Sequence, residues 1–202
     1  MRAIPAILAP PMKSRCLGVL VLLLAGLLPG CASPKAEPAV FVHPNADFSI
    51  YERVAVLPLE NLTSERFAAD RIRELLVVEL SAQGLFGVVE GGEVNRVLRV
   101  HNIDSAAALG PEEVKQLGTE LKAQALLTGS VIEFREQRNG TLNSPEVALS
   151  LRLLDVESGL VVWSVSDARS GLGVWTRLFG VGEENQTGAA RKLICELLAR
   201  LE

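Results

Sequence analysis

Hydrophobic residues recur along this chain at two spacings, and the change from one to the other predicts the order of its elements. Apolar side chains repeat at helical spacing in four stretches, and short apolar or alternating runs of period two mark strands between them. The predicted elements are strand 53–59, helix 64–83, strand 85–90, helices 93–100 and 111–123, strands 125–135, 147–153 and 160–168, and helix 189–201.

This order, β-α-β-α-α-β-β-β-α, predicts the class of fold. The opening β-α-β favours a parallel pair of strands joined by a crossover helix, whereas the turn at 155–159 predicts an antiparallel hairpin. Thr63 or Ser64 is expected to cap the first helix, and Gly84 is expected to end it. We therefore expect a single α/β domain with a mixed parallel and antiparallel sheet of about five strands flanked by helices.

The first thirty residues have the pattern of an export signal rather than of a folded element. Lys13 and Arg15 precede the uncharged apolar run 17–28, which is too short for a transmembrane helix of about 20 residues. We expect residues 1–30 to be removed, with an uncleaved N-terminal anchor as the alternative. Translation starts at Met1 or, since the basic region is already complete from there, at Met12.

The end of this segment resembles the lipobox of bacterial lipoproteins. Leu28, Pro29 and Gly30 precede Cys31, and the resemblance implies signal cleavage before Cys31 and a covalent lipid on its thiol. Several acyl chains hold a protein to a bilayer far more firmly than one. Ala32 and not an aspartate follows Cys31, and under the sorting rule of enterobacterial lipoproteins the resemblance implies delivery to the outer membrane, with the domain facing the periplasm.

Composition divides the mature chain and limits its partners. Residues 31–50 contain three prolines and read as a short tether, so the folded domain is expected over 51–202. Removing residues 1–30 leaves 17 basic and 24 acidic residues, a net charge of −7, without a basic cluster for nucleic acid. Cys195 has no partner for an intramolecular disulfide and lies in an apolar helical stripe, so we expect it in the core.

The sequence offers no catalytic constellation, and we do not expect an enzyme. His43 lies in the tether, and His101 lies in a loop with no metal-ligand spacing around it. The glycine-rich stretch 171–188 lacks the Gly-Lys-Ser/Thr of a phosphate loop, and Glu183 and Glu184 would repel phosphate. We therefore predict no metal, no cofactor besides the lipid on Cys31, and no small-molecule substrate.

One segment is a candidate for contact with another protein. Trp175, Arg177, Leu178 and Phe179 lie in a stretch flanked by glycines and predicted as loop. Aromatic residues and arginine are enriched at protein interfaces. The alternative is a short element that packs Trp175 and Phe179 into the core. We predict a face for a partner or for self-association.

Four stretches together resemble a known superfamily. They are RVAVLPLENLT over 53–63, GLFGVVE over 84–90, LKAQALLTGSV over 121–131, and LRLLDVESG over 151–159 followed by Val162-Trp163-Ser164. They resemble the superfamily of the curli-assembly lipoprotein CsgG, which includes LpoB-type lipoprotein activators of penicillin-binding proteins. The resemblance spans about residues 50–202 and implies a periplasmic α/β domain with a non-enzymatic role in the envelope.

Three roles are compatible with this resemblance. We rank first an accessory or assembly lipoprotein that acts by protein–protein contact in outer-membrane export or surface-structure assembly. The second is an LpoB-type activator of a penicillin-binding protein, for which the tether is short. The third is an oligomeric curli-type secretion pore, for which the polar residues 136–146 lack the alternation of a lipid-facing strand.

Overall fold

The computed structural model of the chain describes residues 38–103, 105–139, 142–170 and 185–201. Its strands are β1 (Ala39–Val42), β2 (Arg53–Val56), β3 (Glu60–Asn61), β4 (Gly87–Val88), β5 (Ala125–Asn139), β6 (Leu142–Asp155) and β7 (Val161–Ser170). Its helices are α1 (Ala68–Gln83), α2 (Gly91–Val100), α3 (Pro111–Leu121) and α4 (Gln186–Leu198), and two short 3-10 helices lie at Phe48–Ile50 and Ala106–Ala108. None of these described helices is long and apolar enough to cross a membrane.

The strands form one open mixed sheet in the order β1-β7-β6-β5-β2-β4, and β3 pairs with β5 beyond the end of β2. The pairs β2–β4, β2–β5 and β3–β5 are parallel, and the pairs β5–β6, β6–β7 and β1–β7 are antiparallel. The predicted parallel crossover and antiparallel hairpin are both confirmed, as is the α/β class. The sheet has seven strands in the described residues instead of about five, because β1 and β3 are additional.

Two helices cover each face of the sheet. Successive side chains of a strand point to opposite faces, so both faces receive apolar side chains. Val54 and Val56 of β2 join the core under α1 and α4, which we name the first face. Ala55 and Leu57 join the core under α2 and α3, which we name the second face. A strand buried on both sides reads as a continuous apolar run, as residues 53–59 do.

The first face holds the larger core and extends across β5, β6 and β7. Trp163 of β7 lies at its centre, fully buried, and its indole Nε1 donates to the carbonyl of Arg200 at 3.2 Å. Its largest buried side chains include Ile72, Leu76, Leu149, Leu151, Leu153, Leu193 and Leu197. The amphipathic stripes of α1 and α4 therefore meet the alternating apolar positions of the central strands.

The central hairpin is longer than its apolar pattern predicts, which corrects the sequence analysis. Pairing of β5 with β6 continues beyond the predicted strands, from Glu136 opposite Pro145 to Asn139 opposite Leu142. The pattern ends early because Glu136 and Gln137 are exposed and polar. Arg135 and Glu146, opposite each other, form an ion pair of 2.6 Å that holds this part of the ladder.

Strand β1 lies inside the stretch that composition assigns to a tether. Residues 39–42 pair antiparallel with β7, and the 3-10 helix Phe48–Ile50 follows them. All four residues of β1 are exposed, so the strand is held mainly by its backbone ladder and contributes little to the core. This explains why no hydrophobic period marks it in the sequence.

The helix ends are predicted in part. Gly84 ends α1 in the left-handed conformation at φ 67°, as expected of a glycine that follows a helix. Pro111 occupies the first turn of α3, also as expected. The predicted cap at Thr63 or Ser64 is wrong, since α1 begins after Phe67. Thr63 instead donates its hydroxyl to Asn61 Oδ1 at 2.8 Å in the turn after β3.

Candidate interaction surfaces

The residues that the sequence marks for lipidation and partner contact lie outside the described part of the chain. These are Leu28, Pro29, Gly30 and Cys31 at the N-terminus, and Trp175, Arg177, Leu178 and Phe179 between β7 and α4. Their roles stay predictions. The elements that flank the aromatic segment are joined directly, because Arg169 of β7 forms an ion pair with Glu196 of α4 at 2.8 Å.

A cleft of about 530 Å³ opens at the end of the sheet where β1 leads into the first 3-10 helix. One wall is formed by the segment after β1 and the other by the turn between β6 and β7. Its lining residues are His43, Asn45, Ala46, Asp47, Ile50, Tyr51, Asp155, Glu157, Ser158, Leu160 and Val162. This cleft combines apolar side chains with three carboxylates.

Hydrogen bonds to Asp155 fix the shape of the cleft. The Tyr51 hydroxyl donates to Asp155 Oδ1 at 3.2 Å, and Ser158 donates its backbone N–H and its hydroxyl to Asp155 Oδ2 at 2.7 and 2.6 Å. Burial, and then the Asp155 carboxylate, raise the pKa of Tyr51, so its hydroxyl stays protonated and donating. Asp155 therefore links the two walls through its two carboxylate oxygens.

The turn that forms the second wall is also held against α3. Gly159 has φ 77°, a left-handed conformation that glycine adopts without strain. A Cβ at this position would lie 2.7 Å from Cβ of Pro111, so a larger residue would collide with the start of α3. The position of the turn, and with it the cleft wall, depends on this close approach.

The rim of the cleft is apolar and acidic. Ile50 and Leu160 are 53% and 50% exposed on either side of it. Asp47 accepts hydrogen bonds from the hydroxyl and the N–H of Ser49, which lower the pKa of its carboxyl and keep it ionised. Exposed aliphatic side chains beside the ionised Asp47 suit a protein segment that presents apolar and basic side chains.

His101, predicted as a surface loop histidine, connects two helices. Its Nε2 lies 2.6 Å from Glu120 Oε2, and its Nδ1 lies 3.2 Å from Gln116 Nε2. The ring therefore bridges the end of α2 to α3. The carboxylate is 19 residues away in the sequence, so local spacing could not reveal the pair. Within the described residues, no group of three metal-ligating side chains is present.

A second polar cluster lies between α1 and α4 and was not foreseen. Glu79 of α1 is buried, with its Oε1 at 2.5 Å from Arg191 Nε and its Oε2 at 3.2 Å from Cys195 Sγ. The thiol hydrogen bond and the arginine lower the pKa of Glu79. Burial and the neighbouring carboxylate raise the pKa of Cys195, which is half-buried instead of fully buried as expected. The cluster joins the two helices and leaves Cys195 as a protonated donor.

Comparison with known families gives a match over most of the folded domain. A family model described as "Peptidoglycan-synthase activator LpoB" matches residues 35–168, which begin just before β1 and end in β7. No curated protein is a significant match. The curli-assembly part of the resemblance stays a prediction.

Two solved structures share the fold at low sequence identity. A PelC dodecamer from Paraburkholderia phytofirmans has 22% identity and a TM-score of 0.53, over 81% of this chain and 97% of that one. Lipoprotein GNA1162 from Neisseria meningitidis has 18% identity and a TM-score of 0.55, over 74% of this chain and 97% of that one. These likenesses support the α/β fold described above.

Proposed function

This chain belongs to the family of the peptidoglycan-synthase activator LpoB, and from that premise we propose that it is an envelope lipoprotein that activates a peptidoglycan synthase by direct contact. The match over residues 35–168 is the observation that carries the proposal, because it includes six complete strands and the three helices between them. An activator acts by binding an enzyme and shifting its conformational equilibrium, and it needs no chemistry of its own.

We assign the contact with the synthase to the cleft between β1 and the β6–β7 turn. Its walls are fixed by Tyr51, Asp155 and Ser158, so a partner meets a preformed surface with little ordering cost. Ile50 and Leu160 supply apolar contact, and Asp47 supplies charge. The expected partner segment carries an apolar side chain next to lysine or arginine.

The proposed lipid on Cys31 limits where this contact takes place. Since β1 begins at Ala39, residues 32–38 are the part of the predicted tether that precedes the sheet. Seven extended residues reach roughly 25 Å. The part of the synthase that binds the cleft must therefore come close to the membrane that anchors this chain.

Reconstitution with purified proteins tests the proposal. The full-length lipidated chain, in mild detergent, is added to a penicillin-binding synthase from the same cells, and the rate of glycan polymerisation is measured. We expect the rate to rise. The double variant Ile50→Asp/Leu160→Asp should lose both binding and stimulation, because two charged groups would have to enter the apolar contact.

Val78→Asp provides the matched control, since Val78 is 58% exposed on α1 and does not line the cleft. This variant should stimulate like the unmodified chain. Absence of both binding and stimulation by the unmodified chain would overturn the proposed function. Equal loss in the control and in the double variant would remove the cleft from it.

The second candidate is an accessory subunit for export or surface-structure assembly. It is favoured by the shared fold with the PelC dodecamer, whose chain is covered over 97% of its length. The mass of the native complex extracted in mild detergent separates the two candidates. A complex of many copies of this chain supports assembly, and co-purification with a synthase supports activation.

A further inference from the structure

The two edges of the sheet differ in how they are protected. At one edge β4 has two residues, Gly87 and Val88, too few for a further ladder. At the other edge β1 presents Ala-Val-Phe-Val without a charge or a bulge. Val40, Phe41 and Val42 are 40%, 48% and 45% exposed. Edge strands of this kind are templates for pairing with another strand, which proteins usually prevent with charges or prolines.

The hydrogen bonds of β1 show which of its backbone groups are open. The N–H of His43 donates to the carbonyl of Val162 at 2.8 Å, so His43 faces β7. In an antiparallel ladder, residues alternate between facing and turning away from a given neighbour. Phe41 therefore also faces β7 with its backbone, whereas the N–H and C=O groups of Val40 and Val42 point out from the sheet.

We propose that β1 pairs antiparallel with β1 of a second copy of this chain, about a twofold axis that passes beside Phe41. In this register Val40 lies opposite the partner copy's Val42, and the two open residues of each strand exchange all four of their hydrogen bonds. Each contact then occurs twice, as a twofold interface requires. The two sheets become one continuous sheet.

Prolines on both sides of β1 limit how far the ladder between two copies can extend. Pro38 and Pro44 have no N–H to donate. Sliding the two strands by two residues in either direction opposes Val42 to Pro38, or Val40 to Pro44, and each such valine–proline pair can form one hydrogen bond instead of two. The centred register is the one that uses Val40 and Val42 alone.

The short chain length between Cys31 and β1 favours a second copy of this chain as the partner at the open edge of β1. This argument rests on the proposed lipid at Cys31, since seven residues then hold every β1 within roughly 25 Å of one membrane. Confinement to a shared surface raises the effective concentration of strands for each other. The contact is short compared with an ordinary stable interface, so we expect it on membranes and only weakly in dilute solution. The absence of charge on β1 leaves no local repulsion between copies of an acidic chain.

Crosslinking on membranes tests the geometry directly. Residues at the centre of the proposed pairing form a non-hydrogen-bonded pair with Cα atoms about 4.5 Å apart, which lies within the range that a disulfide bridges. The full-length Phe41→Cys variant, in membranes treated with a mild oxidant, should give a disulfide-linked dimer. The Val78→Cys variant, changed at a similarly exposed position on α1, should not, and both variants retain Cys195 as the shared background.

Charge exchange provides a second test that does not depend on cysteine chemistry. Phe41→Lys and Phe41→Glu each place like charges opposite each other and should each abolish association between differently tagged copies in membranes. Mixing the two variants should restore it, because opposite charges then meet across the axis.

Three results would each overturn the pairing. They are absence of a disulfide-linked dimer of the Phe41→Cys variant, crosslinking of that variant mainly to another protein, and unchanged association of both charged variants. Stimulation of a synthase is not a readout here. Failure of the pairing and failure of the proposed activation are therefore observed separately.

Discussion

The two faces of the sheet are built from the same strands, yet they are covered to different extents. On the first face, α1 and α4 bury side chains from β2 across to β7 in one cluster. On the second face, α2 and α3 bury Ala55, Leu57, Leu126 and Leu154, near the ends of β2, β5 and β6. Further along these strands the second-face side chains become mainly polar. The sheet therefore has one face that is core from β2 across to β7 and one that is core only in part.

The residues at the boundary show how the second face changes character. Thr128 and Arg152 lie opposite each other on β5 and β6 and donate to the carbonyls of Ala106 and Ala107. The 3-10 helix Ala106–Ala108, between α2 and α3, provides these carbonyls and contacts β5. The next pairs along the ladder are serines, namely Ser130 with Ser150, and Ser150 with Ser166.

The two faces are therefore expected to contribute unequally to the stability of the domain. Most of the apolar area lies under the first face, so stability is expected to depend on it. The second face and the open edge at β1 contribute less to the core and can change without unfolding the domain. Three substitutions test this comparison, from the largest expected effect to the smallest.

Removing the largest side chain of the first face should have the greatest effect. Trp163 is fully buried, and Trp163→Ala leaves a large cavity among the leucines of β6 and α4. We expect a loss of about 3–5 kcal/mol in the free energy of unfolding. Urea denaturation followed by circular dichroism measures it. Leu160→Ala, at an exposed position on the same hairpin, is the control and should change stability by about 0.5 kcal/mol or less.

The polar cluster within the first face should have an intermediate effect. Glu79→Gln keeps the size of the side chain but removes the charge that accepts from Arg191 and Cys195. We expect a loss of about 1–3 kcal/mol at pH 7, because hydrogen bonds to a buried charge exceed those between neutral groups. Glu133→Gln, at a more exposed ion pair with Arg135, is the control and should have little effect.

The pH dependence of the same variant follows from the direction of the pKa shift. The pKa of Glu79 is lowered in the folded state, so its contribution is present above the ordinary glutamate pKa of about 4.3 and is lost as the pH falls further. The difference in stability between the unmodified chain and Glu79→Gln should therefore shrink in acid. A difference that stayed constant from about pH 7 to about pH 3 would contradict an ionised Glu79.

The sequence predicts those parts of the fold that bury a regular apolar pattern. The helices α1 to α4 and strands β2, β5, β6 and β7 have such patterns, and their order was predicted correctly. Strand β1 does not, since it exposes all four of its side chains and depends on backbone pairing, and the outer part of the central hairpin begins with the exposed polar residues Glu136 and Gln137. Hydrophobic periodicity reports burial, so it cannot detect a strand that buries little.

The interaction surfaces were predictable to a smaller extent, because they depend on residues far apart in the chain. Glu79 and Arg191 are separated by 112 positions, and Tyr51 and Asp155 by 104. Each residue alone resembles an ordinary surface acid, base or tyrosine. Only the sheet order, which brings the segment after β1 next to the β6–β7 turn, places Tyr51 against Asp155 and forms the cleft.

The smallest effect is expected at the boundary of the second face. Arg152 Nη2 donates to the carbonyl of Ala107 at 3.0 Å, and Arg152→Ala removes this bond while water can still reach the half-buried site. We expect a loss of about 0.5–1.5 kcal/mol in global stability, together with faster amide hydrogen exchange around residues 106–109. Arg135→Ala, which removes an exposed ion pair on the neighbouring strand, is the control and should leave that exchange unchanged.

If Arg152→Ala instead destabilised the domain as much as Trp163→Ala, the second face would contribute equally to the core and the comparison between the faces would be wrong. A local effect confined to the 3-10 helix would show that this part of the second face can open while the first face keeps the domain folded.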